Sequence, residues 1–147
     1  MKICVLMKQV PDKDSPIKIS TNKLSINEDM LAFSTNESDN YALEETLQIK
    51  EKLGGEVVVC TLGKESAQQV LKDALAKGAD RAIFIKDDSS SEKDILTIGK
   101  LIKTALKDEK FDLLFTGLQS DDIGNSQLGL IMAELFDMTH ACMVMGT

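Results

Sequence analysis

Ile3-Cys4-Val5-Leu6-Met7 is an unbroken apolar run that stands directly before Lys8-Gln9-Val10-Pro11-Asp12. A strand with one wet face alternates apolar with polar residues, whereas an unbroken run suits a strand covered on both faces, as in a parallel sheet. The run predicts a central strand that ends where Pro11 removes a backbone donor. Similar runs recur at Val57-Val58-Val59-Cys60 within residues 56–61, at Ala82-Ile83-Phe84-Ile85, at Leu113-Leu114-Phe115-Thr116 and over residues 140–145.

Helical patterns fill the gaps between these runs. The first is expected to start at Ser38 or Asp39 as N-cap, with Tyr41, Ala42, Leu43, Leu47, Ile49 and Leu53 as an inward stripe and Gly54-Gly55 as the stop. Leu62-Gly63 turns into a second helix over about residues 66–77, capped by Gly78. A third covers residues 94–107 with Ile95, Ile98, Leu101, Ile102 and Leu106 inward, and a fourth runs from Asn125 or Ser126 to Leu135. Ile17-Lys18-Ile19 and Leu24-Ser25-Ile26, around Thr21-Asn22-Lys23, fit a small hairpin flap. Short connections between alternating strands and helices imply right-handed crossovers, and so an α/β domain with a doubly wound parallel five-stranded sheet of order 3-2-1-4-5.

Composition sets limits on function. A chain of 147 residues with 43% hydrophobic composition is expected to form a single domain, 1–147, that buries roughly 70% of its unfolded surface. With 17 basic against 24 acidic residues the net charge is -7, which disfavours nucleic acid and anionic membranes as partners. No run of ~18 apolar residues is present and the opening apolar stretch is too short for a signal peptide, so a cytoplasmic protein without membrane insertion is expected. Cys4, Cys60 and Cys142 are odd in number and widely spaced inside apolar runs, which reads as core cysteines rather than a disulfide or metal framework. The single histidine, His140, has no Ser or Cys partner pattern, so no catalytic residues are assigned, and Asp121-Asp122 lacks the further ligands of a metal site. Met132, Met138, Met143 and Met145 are expected as core filler or a buried subunit contact.

In an open parallel sheet a ligand sits beyond the carboxyl ends of the strands, where the winding reverses. That points to the loop after the first strand, residues 8–12, and to Gly117-Leu118-Gln119-Ser120-Asp121-Asp122-Ile123-Gly124-Asn125-Ser126-Gln127-Leu128-Gly129 after the fourth. Free amides at a helix start, together with Gln119, Asn125, Ser126 and Gln127, suit a phosphate. Spacing alone leaves a plain polar loop with an ordinary N-cap equally open.

Four segments resemble the electron-transfer flavoprotein β subunits. Cys4 to Asp12 is similar to the family's V-K-Q-V-P-D opening, Thr35 to Glu44 to N-P-x-D-x-x-A-L-E, Leu71 to Ala82 to L-R-x-A-L-A-x-G-A-D-R-A, and Gly117 to Gly129 to G-x-Q-S-x-D-G-D-T-G-Q-V-G-P. The resemblance implies an adenine-nucleotide α-hydrolase-like domain that binds AMP or a second FAD. It also implies a heterodimer with an α subunit that holds most of the FAD, taking electrons from acyl-CoA or similar dehydrogenases. Carried over by position, the nucleotide would touch Leu6, Asn36, Asp39, Leu62, Gly117, Gln119, Ser120, Asp122, Asn125, Ser126, Gln127 and Leu128.

The departures are Glu37 in place of proline, Ile123-Gly124 in place of the loop's Gly-Asp, Asn125 in place of threonine, and Leu130 in place of the final proline. The resemblance implies a long carboxyl-terminal segment beyond these residues in family members, so either a fragment or a shortened relative is expected. The competing expectation is a stand-alone ATP- or AMP-binding module similar to universal stress proteins, but Gly117, Gly124 and Gly129 do not reproduce their G-x-x-G-x(9)-G-[ST] pattern. An adenylating enzyme would need S-G-G-x-D-S after the first strand, where Lys8-Gln9-Val10-Pro11 stands.

Overall fold

β1 (Lys2–Leu6) occupies an interior position of the main sheet in the computed structural model, which describes residues 1–146. Thr147, the last residue of the expected domain, lies outside the described residues. β1 pairs in parallel with β4 (Glu56–Gly63) on one side and β6 (Leu113–Thr116) on the other, and β5 (Arg81–Lys86) lies outside β4. The order β5-β4-β1-β6 is the expected 3-2-1-4 series in its first four strands.

The connecting helices are α1 (Glu37–Leu53), α2 (Gln68–Lys77), α3 (Ile95–Leu106) and α4 (Leu128–Phe136). They cover both faces of the sheet because the unbroken apolar strands send alternate residues to each side. Val5, Val57 and Val59 pack with Leu43 of α1 and with Val70, Leu71 and Ala74 of α2. Cys4, Leu6 and Cys60 pack with Ile102 and Leu106 of α3 and Met132 of α4. Burying a valine such as Val57 or Val59 is worth about 1.5 kcal/mol or more, so the two sandwiched faces dominate the energetics.

Several expectations are corrected. The fifth strand over residues 140–145 does not form: these residues are exposed, have no partner strand, and include Met143 in a left-handed backbone (φ 54) that interrupts extension. Val144 is the one β-branched residue there, so local preference for a strand is weak. Met143 and Met145 are exposed rather than core filler, and Cys142 is exposed rather than buried. Leu62 and Gly63 belong to β4 rather than to a turn after it, since β5 pairs with them through Ile85 and Lys86.

α1 begins at Glu37, with Asn36 as N-cap, and Tyr41 and Leu53 face solvent rather than the core. α4 begins at Leu128 because Ser126 is left-handed (φ 53) and cannot open a right-handed helix. The first strand stops at Leu6, before Pro11, and Pro11 closes a further short strand instead: β2 (Gln9–Pro11) pairs antiparallel with β3 (Phe33–Thr35) in a separate two-stranded sheet. The flap is present in reduced form, a single antiparallel bridge between Ile19 and Ile26.

Candidate functional site

The chain goes from β1 to β4 and β5 on one side, then crosses to β6 on the other, so the winding reverses between β1 and β6. Their carboxyl ends are Leu6 and Thr116, paired in register. The loops that leave these two ends are joined by the start of α1. Asp39, in its first turn and 6% exposed, accepts from the Lys8 amide at 2.8 Å through Oδ2 and from the Gly117 amide at 3.0 Å through Oδ1.

Asn36, 1% exposed, makes the second set of links. Its Nδ2 donates to the Gln119 carbonyl at 2.8 Å and to Ser38 Oγ at 3.0 Å, and its Oδ1 accepts from the Asp121 amide at 3.0 Å. Ser38 Oγ also donates to the Gln119 carbonyl at 2.8 Å, and the Asn36 amide donates to the Lys8 carbonyl at 2.9 Å. Asn36 therefore spends its side chain on the loop after β6 and on the Ser38 hydroxyl, and makes no capping bond to the amides of its own helix.

Burial pushes the Asp39 carboxyl up to about 6, against the Lys8 and Gly117 amides and the Lys8 charge, which favour ionisation. Burial likewise pushes the thiols of Cys4 and Cys60 up, the latter to about 12, so they are inert core groups.

The expected site residues divide into two groups. Asn36, Asp39, Gly117, Gln119, Ser120 and Asp122 are brought together by the network just described and by Lys8, whose ammonium reaches Asp122 and Ser120. Gly117 suits that closeness, since a Cβ there would overlap Asp39 Oδ1 and Ser38 Oγ. Leu6 and Leu62 send their side chains into the sheet's α3–α4 core and offer backbone only.

Asn125, Ser126, Gln127 and Leu128 complete the run into α4. Ser126 donates to Gln119 Oε1 at 3.1 Å, while the Asn125 and Gln127 side chains have no partner among the described residues. The first amides of α4 have no partner within their own helix. Such donors around a polar loop suit phosphate oxygens. The left-handed Ser126 is a strained position of the kind that gathers at ligand sites.

Lys8 stands in the loop after the first strand that the fold marks for a ligand, and Ser38 is one of the two residues expected as the N-cap of the first helix; the sequence assigns neither side chain its role in this network. A cavity of about 550 Å³ between the flap and the α1 start shares Asp121 and Asp122 with this crevice. Among the described residues no group of three His, Cys, Asp or Glu gathers as metal ligands, and no helix is long and apolar enough to cross a membrane.

The model of the electron transfer flavoprotein domain matches residues 23–147. The chain is 34% identical over 146 residues to the electron transfer flavoprotein subunit beta of Methylophilus methylotrophus, covering 98% of the chain and 55% of that protein. It is 38% identical over 139 residues to the subunit of the same name from Bacillus subtilis, covering 94% and 53%, and 35% identical over 144 residues to that of Thermoanaerobacterium thermosaccharolyticum, covering 98% and 55%. The chain thus spans about half the length of the curated relatives it matches. By this match and by the fold that carries it, the chain belongs to the electron transfer flavoprotein domain family.

Proposed function

We propose that the crevice above β1 and β6 holds the adenylate part of AMP or of an FAD. The chain then serves as the β-type half of an electron carrier whose other half is an α-type subunit. The observation that carries this reading is the clamp of Asn36 and Asp39, which fixes the loops leaving β1 and β6 around the reversal point of the sheet. The unpartnered donors of Asn125 and Gln127 and the first turn of α4 fit the phosphate of such a group.

An FAD, when bound, supplies a ring that takes and gives electrons, whereas AMP supplies none and fills the site structurally. In either case the work of this chain is to bind and orient the adenylate. The electron donor in this reading is an acyl-CoA or similar dehydrogenase, and the carrier works in the cytoplasm.

The test is to purify the chain alone and together with the α-type subunit from the same organism, denature each, and identify released nucleotide by chromatography and absorbance. AMP or FAD is expected, with FAD rising only in the pair. ATP on a partnerless homodimer would replace this reading with a stand-alone binding module, and no nucleotide in either sample would end it.

A further inference from the structure

We propose that Lys8 is the phosphate-binding cation of the crevice, and that Asp122 is a built-in counter-ion which the phosphate of an incoming nucleotide displaces. This rests on the nucleotide reading above and names the residue pair that selects for phosphate.

The loop from Gly117 to Leu128 carries two carboxylates, Asp121 and Asp122, and no lysine or arginine. Amide donors alone leave a phosphate facing those two negative charges, so a binding site there needs a cation from elsewhere in the fold. Lys8 supplies it. Its ammonium lies 2.6 Å from Asp122 Oδ1 and 2.7 Å from Oδ2, with Ser120 Oγ at 3.4 Å.

The two partners are held very differently. The Lys8 backbone is fixed from both sides, its amide on Asp39 and its carbonyl on the Asn36 amide, so the ammonium is delivered from a rigid base. Asp122 sits on an exposed loop and, among the described residues, has no hydrogen bond beyond Lys8, so its carboxylate is free to turn to water when the ammonium takes another anion. Its two oxygens on one ammonium reproduce the contact that two phosphate oxygens make. The side chains of Lys8 and Asp122 are 38% and 24% exposed, so the pair is open to exchange.

The experiment measures binding of AMP and of adenosine to the purified chain, freed of nucleotide, by equilibrium dialysis. It compares the unaltered protein with Lys8→Met and Asp122→Asn. Lys8→Met is expected to weaken AMP about tenfold or more while adenosine stays within about twofold. Asp122→Asn, which frees the ammonium, is expected to tighten AMP by roughly three- to tenfold and leave adenosine unchanged.

Equal affinity of the unaltered protein for AMP and adenosine, or unchanged AMP affinity in Lys8→Met, overturns the role of Lys8 and leaves the nucleotide reading standing. Weaker AMP binding in Asp122→Asn overturns the counter-ion role, and that variant decides the matter if Lys8→Met fails to fold. An unaltered protein that takes up neither AMP nor adenosine overturns both the proposal and the reading beneath it.

Discussion

The Gly117 amide donates to Oδ1 of Asp39 at 3.0 Å, tying the end of β6 to the first turn of α1 across 78 positions of sequence. The closeness leaves no room for a side chain, since a Cβ on Gly117 would also come within 2.8 Å of the Asp39 amide nitrogen. Gly117→Ala is therefore expected to push the loop off α1 and destabilise the fold by about 2 kcal/mol or more, through overlap and a lost buried bond. Gly146→Ala, with nothing within 4 Å, is the control and should lie within about 0.5 kcal/mol of the parent. Urea unfolding of the three proteins measures this; equal stabilities would mean that the clamp contributes nothing.

The same carboxylate gives a pH signature. Burial raises the folded Asp39 to about 6 from the ordinary 3.8. The folded state then binds the proton more tightly than the unfolded one, so this group's stabilisation is full below about 3.8 and is lost as pH rises through about 6. Asp39→Asn cannot titrate and lacks this slope, while the other carboxylates titrate in both proteins and cancel in the difference. The substitution is expected to cost about 2 kcal/mol more at about pH 4.5 than at about pH 7.5. A penalty that does not change with pH would show that Asp39 titrates as an ordinary carboxylate.

What the sequence disclosed follows the reach of each interaction. The residues 113–116 strand was legible to its ends because its signal is a local apolar run, and the two-sided burial of β1 followed from Ile3 to Met7 lacking any polar residue. Pro11 reads as a stop because proline withholds a ladder donor, and it is indeed the last residue of β2; what local pattern does not disclose is the short antiparallel pairing of β2 with β3 that precedes it. Tyr41 read as inward from periodicity alone, but it stands at the margin of the α1 stripe and its hydroxyl donates to Glu37 at 2.9 Å in solvent. The family segments marked Asn36, Asp39 and the loop after β6 as one site. The pairing of Lys8 with Asp122 spans 114 positions and becomes visible only once the order of β1 and β6 is known.

Gly99 lies in the middle of α3, where glycine costs helix stability relative to alanine by about 1 kcal/mol. Its presence follows from the crossing with α4: a Cβ there would lie 2.7 Å from Ile131 Cγ2 and 3.3 Å from Leu135 Cδ1. The Ile131 methyl group belongs to a β-branched side chain with little rotamer freedom in a helix, so the helices themselves must separate. Gly99→Ala is expected to destabilise by about 1–2 kcal/mol net, overpacking outweighing the helix gain. Pairing it with Ile131→Ala, which opens the space, should recover part of that loss in a double-mutant cycle. Independent, additive costs would show that the α3–α4 contact does not set this glycine.

Glu109 closes the opposite end of the sheet from the crevice. Arg81 Nη2 donates to it at 2.7 Å and the Lys2 ammonium bonds it as well, while Arg81 also reaches Glu56 at 3.2 Å. Lys2, Glu56 and Arg81 are the first residues of β1, β4 and β5, so one network pins three strand starts to the segment that enters β6. Hydrogen bonds from Arg81 and then Lys2 hold the Glu109 carboxyl down at about 2, below its ordinary 4.5. A depressed carboxylate stabilises the fold above its unfolded value and loses that contribution as pH falls, here between about 4.5 and about 2. The network faces water, so screening limits Glu109→Gln to no more than about 1 kcal/mol at neutral pH. That penalty should shrink in about 1 M salt, where the Debye length is near 3 Å, and fade as the pH approaches about 2. Denaturant unfolding of both proteins across that range is the measurement, and a penalty indifferent to salt and acid would assign Glu109 a packing role in place of an electrostatic one.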